Sequence, residues 1–105
     1  METFAALADP TRRHIVEMLR HGEMSAGDIS RRFEMSAPAI SQHLRTLKAA
    51  RLVSVRVEAQ RRIYALDPVG IAEVADWVDS VRNFWNPRLD ALETELKMMA
   101  EKDKA

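Results

Sequence analysis

Residues 36–50, SAPAISQHLRTLKAA, carry the side chains of this 105-residue chain best suited to acting on another molecule. Ile40, Leu44 and Leu47 recur at i, i+4 and i+7, which is one stripe of a helix. Ser41, Gln42, Arg45 and Lys48 project from the other side. Glutamine can pair bidentately with an adenine edge, and Arg45 and Lys48 suit phosphate, so they would supply affinity more than sequence preference. Ser36 is an N-cap residue, and Pro38 falls in the first turn, where its missing N–H costs nothing. An ordinary amphipathic surface helix shows the same stripe, so its neighbours must decide between the two readings.

The charge distribution is the first of those neighbours. The net charge of zero hides a split: residues 1–66 carry 11 Lys+Arg against 7 Asp+Glu, and residues 67–105 carry 5 against 9. Residues 36–62 hold six bases (Arg45, Lys48, Arg51, Arg56, Arg61, Arg62) and one acid, Glu58. A basic block on a neutral chain points to a local polyanion site, although a solvated basic surface is equally consistent with charge alone.

Other chemistry finds little support. The chain has no cysteine, which removes disulfides, thiolate metal ligands and cysteine nucleophiles. Ser, His and acid do not assemble into a hydrolytic motif, and no glycine-rich phosphate loop is present. His14 and His21, seven apart on one helix, read as surface residues, and residues 67–105 contain no histidine. A carboxylate-only metal site from Glu73, Asp76 or Asp79 has weak support, so the expectation is no cofactor and no enzyme. No apolar run approaches a membrane span, and METFAALADP lacks a secretory signal's basic segment and apolar core. A cytoplasmic protein of one domain over 1–105 is expected.

The elements that must position the 36–50 helix follow in order. A short helix over 3–7 carries Phe4 and Leu7. Asp9-Pro10 reads as N-cap and first helical residue of a helix over 10–21, presenting Ile15, Met18 and Leu19 and stopped by Gly22. Glu23-Met24 is a brief extended link. Ser25 caps a helix over 26–33 with Ile29 and Phe33 buried. Only Glu34, Met35 and Ser36 separate this helix from the next, the helix-turn-helix plan, with a plain helical hairpin as the alternative. Residues 52–57 and 62–66 each alternate with period two, joined by a loop over 58–61, so the tip of the hairpin displays Gln60, Arg61 and Arg62. A hairpin there is a wing, and Val53, Val55, Ile63 and Leu66 are the candidates to pack it on the helices. The fold class is therefore mainly α with a small β-hairpin, a winged helix-turn-helix with a core over 3–66 and its wing over 52–66.

A long helical tail over 69–101 completes the chain. Ile71, Val74, Val78, Val81, Trp85, Leu89, Leu92, Leu96 and Met99 are spaced by three or four throughout, a heptad-like seam. A kink or break is expected near Asn86-Pro87. Unbroken, some 30 residues would extend on the order of 45 Å, more than one small domain can cover. Packing on a second copy of the tail is the simpler account, and folding back on the same domain is the alternative. Trp77 and Trp85 read as dimer-core packing, with an aromatic small-molecule pocket the lesser reading.

These residues resemble the ArsR/SmtB (arsenical-repressor type) winged-helix regulators over roughly residues 4–66. The marks are ALADPTRR at 6–13, SAPAISQHLRTL at 36–47, Leu52-Val53 opening the wing and RRIYAL closing it. The tail segment VRNFWNPRLDALE is similar to a cysteine-free, non-metal subgroup with a tryptophan-bearing C-terminal helix. The resemblance implies a homodimeric repressor on a palindromic operator, its recognition helix in the major groove and its wing alongside. Carried over by position, Ser36, Ala37, Pro38, Ser41, Gln42, His43, Arg45 and Lys48 lie in the DNA-reading helix, and Arg56, Gln60, Arg61 and Arg62 on the wing. It places Phe4, Leu7, Val74, Trp77, Val78, Val81, Trp85, Leu89 and Leu92 in the interface formed by the first and last helices. His43 either touches DNA or orients the helix.

The chain also departs from the family. AGDISRRF, in the third helix, lacks the metal sensors' cysteine motif, and the tail lacks their histidines. Arg51 stands where the family usually has glycine, in a left-handed cap that costs another residue roughly 1 kcal/mol. An organic inducer between the tail helices, and a winged helix that binds protein instead of DNA, remain alternatives. Repression is expected over activation, because the sequence shows no second domain to touch polymerase.

Overall fold

The computed structural model describes residues 2–104. It divides between Val74 and Ala75 into two units. The elements are α1 (Glu2–Leu7), α2 (Pro10–Leu19), β1 (Met24–Ser25), α3 (Ala26–Ser30), α4 (Ala37–Ala49), β2 (Val53–Glu58), β3 (Arg61–Leu66) and α5 (Pro68–Lys104).

Each helix of the first unit starts where its cap residue directs. The Asp9 carboxylate accepts the Arg12 amide at 3.0 Å, with Pro10 in the first turn. Ser25 Oγ accepts the Asp28 amide at 3.1 Å, and Ser36 Oγ the Ala39 amide at 3.3 Å. Such caps contribute about 1 kcal/mol each. The helices α2 and α3 end at Leu19 and Ser30, shorter than the apolar spacing suggested, because their last residues tighten into turns: the Gly22 amide bonds the Leu19 carbonyl and the Phe33 amide the Ser30 carbonyl. Phe33 is half-buried and sits edge-on to His14, ring centres 5.2 Å apart.

α4 packs on α1, α2, α3 and β2. Its stripe is fully committed: Ile40, Leu44 and Leu47 are at most 2 % exposed. Ile15, Ile29, Leu52 and Val53 complete the centre of the core. Burial of each such side chain contributes about 1.5–3 kcal/mol, so α4 is held by its inner face.

The sheet has three strands in the order β1-β3-β2. The extended link seen in the sequence pairs with the wing: Met24 lies opposite Tyr64 and Ser25 opposite Ile63. β2 and β3 extend further than the alternation suggested, to Glu58 and Arg61, so the turn is Ala59-Gln60 rather than a four-residue loop. Ala59 takes φ +57° where no glycine is available. The register also revises the buried face. Val53 pairs with Leu66 and Val55 with Tyr64, so Tyr64 joins the core face, while Ile63, opposite Arg56 and Ser25, is also buried, at 9 %, but on the other side of the sheet. Directly opposed residues share a face, and Ile63 is one position out of phase with that set.

α5 runs from Pro68 to Lys104 as one helix, with Pro87 inside it. The break expected at Asn86-Pro87 is absent. Next to Pro87 the Arg88 guanidinium donates to the Phe84 carbonyl at 2.7 Å and lies 3.8 Å over the Phe84 ring. No helix among the described residues is long and apolar enough to cross a membrane.

Candidate nucleic-acid interface

The outer face of α4 is exposed along its length. Ser36, Ala37, Pro38, Ser41, Gln42, Arg45 and Lys48 all lie on the surface. Gln42, Arg45 and Lys48 make no side-chain hydrogen bond or ion pair among the described residues. Three polar side chains therefore stand solvated and uncommitted on a helix whose other face is locked in the core.

His43 differs from its neighbours. Its side chain is only 19 % exposed, and Nδ1 lies 3.4 Å from Arg12 Nη1 and 3.9 Å from the Asp9 carboxylate. An arginine can only donate, so when the ring is neutral Nδ1 is the acceptor and Nε2 carries the proton. Every buried side-chain nitrogen and oxygen among the described residues has a partner, and Nε2 has none, so it opens to solvent. His43 is thus held from behind by α2 and retains one outward donor.

Arg12 is the residue that sequence reasoning undervalued. Its Nε donates to the Ala6 carbonyl at 2.7 Å and Nη2 to the Ala5 carbonyl at 3.4 Å, while Nη1 reaches His43. One guanidinium joins the end of α1, the start of α2 and the middle of α4. The only local signal was its place three residues after the Asp9 cap. The Arg12 amide, the largest influence, holds the Asp9 carboxyl below its ordinary range, with the charges of His43 and Arg12 assisting against slight burial.

The wing divides its cations into two groups. Arg56 is bonded to Glu23 and, at 2.8 Å, to Glu58, and these acceptors, Glu58 first, raise its pKa. Arg61 lies 3.9 Å from Asp28, which also pairs with Arg31. Gln60 and Arg62 are exposed, and Arg62 pairs with no acid among the described residues. Arg56 therefore braces the wing against the residue preceding β1, and the free positive charge of the wing lies toward its tip.

Trp77, Val78, Val81, Trp85, Leu89 and Leu92 are between 36 and 54 % exposed along the second unit. Phe4 and Leu7 are half-buried in the first, as is Val74. Glu73 accepts a hydrogen bond from the buried Thr3 hydroxyl at 2.9 Å, a tie between α1 and the start of α5 that the apolar pattern did not reveal. Among the described residues no three His, Asp or Glu side chains gather at metal-binding spacing.

Comparison with known proteins fits this architecture. Residues 9–55 match the family described as bacterial regulatory protein, arsR family. The HTH-type transcriptional regulator Rv2034 of Mycobacterium tuberculosis is 49 % identical over 84 residues, 80 % of this chain and 76 % of that protein. The transcriptional repressor SdpR of Bacillus subtilis is 40 % identical over 71 % of this chain and 83 % of its own length. A crystal structure of a possible transcriptional regulator for arsenical resistance superposes with a TM-score of 0.73 at 39 % identity, over 90 % of this chain and 96 % of that one. The winged helix-turn-helix is shared, and these relatives are regulators of transcription and not enzymes: the chain belongs to the arsR family of bacterial regulatory proteins.

Proposed function

We propose that this protein is a homodimeric transcriptional repressor, working in the cytoplasm, that binds an imperfectly palindromic operator. Two copies of α4 would enter successive major grooves about 34 Å apart, one turn of DNA. Ser36, Ala37, Pro38, Ser41, Gln42, His43, Arg45 and Lys48 form the reading face. Arg62, Arg61 and Gln60 approach the flanking backbone from the wing, with Arg56 supporting them. α1 and α5 supply the dimer contact through Phe4, Leu7, Val74, Trp77, Val78, Val81, Trp85, Leu89 and Leu92.

The observation that carries this reading is the two-faced state of α4: Ile40, Leu44 and Leu47 buried, with Gln42, Arg45 and Lys48 exposed and unpaired. Repression is favoured over activation by the relatives named repressors.

Fluorescence anisotropy with duplex DNA from upstream of the protein's own gene, beside a scrambled duplex and at two salt concentrations, tests it. Tight binding to the first duplex alone, falling with salt and weakened in Gln42→Ala, is the expected result. Each lost phosphate contact should lower the salt slope by about one unit. Equal binding to both duplexes would reduce the protein to a non-specific binder, and no binding at low salt would end the proposal.

A further inference from the structure

Two surface clefts of the first unit meet along α3. One separates α3 from the wing and is walled by Arg31, Gln60, Arg61 and Arg62. The other separates α3 from the outer face of α4 and is walled by Arg31, Ala37 and Ser41. Ala26, Gly27 and Arg31 belong to both, so the clefts form one continuous groove from the tip of the wing to α4. Its floor is low: a Cβ on Gly27 would meet the Arg31 guanidinium only at 3.8 Å. An open groove with arginine on both walls suits the passage of a phosphate backbone.

Asp28 is the one acid lining this groove among the described residues. It pairs with Arg31 and lies 3.9 Å from Arg61, so a single carboxylate engages an arginine from each wall. All three side chains stay wet: Asp28 is 47 % exposed, Arg31 75 % and Arg61 65 %. Ion pairs so exposed are weak, so a phosphate held at the same place can take over either guanidinium.

We propose that Asp28 sets the specificity of DNA binding by making the phosphate contacts of Arg31 and Arg61 conditional on a seated α4. When base-edge contacts hold α4 in the major groove, the DNA backbone is fixed in the α3 groove. Arg31 and Arg61 then transfer from the carboxylate to phosphate. On an unmatched sequence no base contact fixes the duplex, and both arginines stay on Asp28. Repulsion between the carboxylate and a loosely placed phosphate works in the same direction. Sequence-independent affinity comes from phosphate contacts, so withholding two of them from unmatched DNA lowers the background while the operator complex keeps them. Arg31 thereby becomes a DNA contact outside the α4 and wing residues read from the sequence. The inference rests on the DNA-binding reading and adds a residue that separates operator from bulk DNA without contacting a base.

Anisotropy titrations of wild type and Asp28→Asn, with the duplex from upstream of the protein's own gene and with a scrambled duplex, over a range of salt, test this. The scrambled duplex should gain about tenfold in affinity and its salt slope should steepen by about one to two units. The upstream duplex should change by less than about threefold with its slope unchanged, so the ratio between the two narrows. Glu101→Gln makes the same charge change near the C-terminal end of α5 and should leave that ratio at its wild-type value. Adding Arg31→Gln to Asp28→Asn should take back about one unit of the scrambled-duplex slope. Equal gains on both duplexes would make Asp28 a plain charge offset, and no gain on either would place DNA outside this groove. Either result overturns the proposal while the wild-type preference for the upstream duplex stands; absence of that preference would remove the operator reading itself. Asp28→Ser is the second variant, and far-UV circular dichroism matched to wild type excludes unfolding as the cause in both.

Discussion

The Gly70 amide donates to the Arg51 carbonyl at 2.8 Å, and at this approach a Cβ on Gly70 would stand 2.3 Å from the same oxygen. The Asp67 amide bonds the Leu52 carbonyl at 2.9 Å beside it. The start of α5 is thus docked backbone to backbone on the turn that ends α4. Gly70→Ala must push the two apart. Overpacking of this kind costs about 1–3 kcal/mol, and the upper part of that range is expected because the obstacle is main chain. The readout is the urea midpoint at constant slope; an unchanged midpoint would show that the junction yields freely.

Arg51 is the residue that makes this junction possible. It takes φ +58°, and the bonds from the Arg51 amide to Lys48 and from the Leu52 amide to Leu47 close a Schellman turn. A non-glycine residue pays a steric penalty there, and its exposed side chain has no ion pair among the described residues to offset it. Arg51→Gly should therefore stabilise the protein by about 1 kcal/mol, less whatever the added freedom of the unfolded chain removes. A destabilised variant would show that the arginine stem packs usefully.

Much of this was legible in the sequence because the signals are local. Ser36, Ser25 and Asp9 announced their helices, and the stripe Ile40, Leu44, Leu47 announced the buried face. The left-handed cap at Arg51 was not a local signal: it came from the family resemblance, which usually has glycine there. What escaped notice depends on residues far apart in the chain. β1 is two residues long and exists only because Met24 and Ser25 pair with Tyr64 and Ile63. Tyr64 is buried as well as Ile63, on the opposite face of the sheet, because register, invisible in either strand alone, decides phase. Arg12 and His43 are 31 residues apart, and no spacing rule links them. Pro87 argued for a break, yet α5 runs through it as one helix.

Acid sensitivity should include a share from the α2 cap. The Asp9 carboxyl sits below its ordinary value of 3.8, chiefly because it accepts the Arg12 amide. A depressed folded value means that the contribution is complete above the unfolded value and is lost as the pH falls through the folded one. Asp9→Asn retains a capping oxygen without the titration. Its stability should fall less steeply than wild type between about pH 5 and pH 2. Parallel acid limbs in the two proteins would contradict the assignment.

The Arg12 to His43 contact should matter for DNA binding without touching DNA. Arg12→Leu removes the donor that fixes the outward-facing Nε2–H of His43. Loss of one charge-assisted hydrogen bond corresponds to roughly tenfold weaker operator binding. Because Arg12 is spent on Ala5, Ala6 and His43, the salt slope should not change. A slope lower by about one unit would identify Arg12 as a phosphate contact instead. His43→Asn keeps a group near Arg12 while withdrawing the outward donor, so binding should weaken with the slope again unchanged, because a neutral imidazole neutralises no phosphate.

Pro87 and Arg88 should prove energetically coupled. A proline inside a helix costs about 3 kcal/mol relative to alanine, through a lost hydrogen bond and a clash with the preceding turn. Pro87→Ala is therefore expected to raise the helical signal at 222 nm and the thermal stability, by at most that amount. Arg88 sits next to the defect, with its guanidinium on the Phe84 carbonyl and over the Phe84 ring, and Phe84 in turn meets Trp85 edge-on at 5.1 Å. If this contact exists to brace the proline turn, Arg88→Ala should unsettle the helix in the wild-type chain and have little effect once Pro87 is alanine. A double-mutant cycle measures the difference directly. A coupling of about 0.5 kcal/mol or more would show the brace at work, and equal losses in the two backgrounds would show that Arg88 and Pro87 act independently.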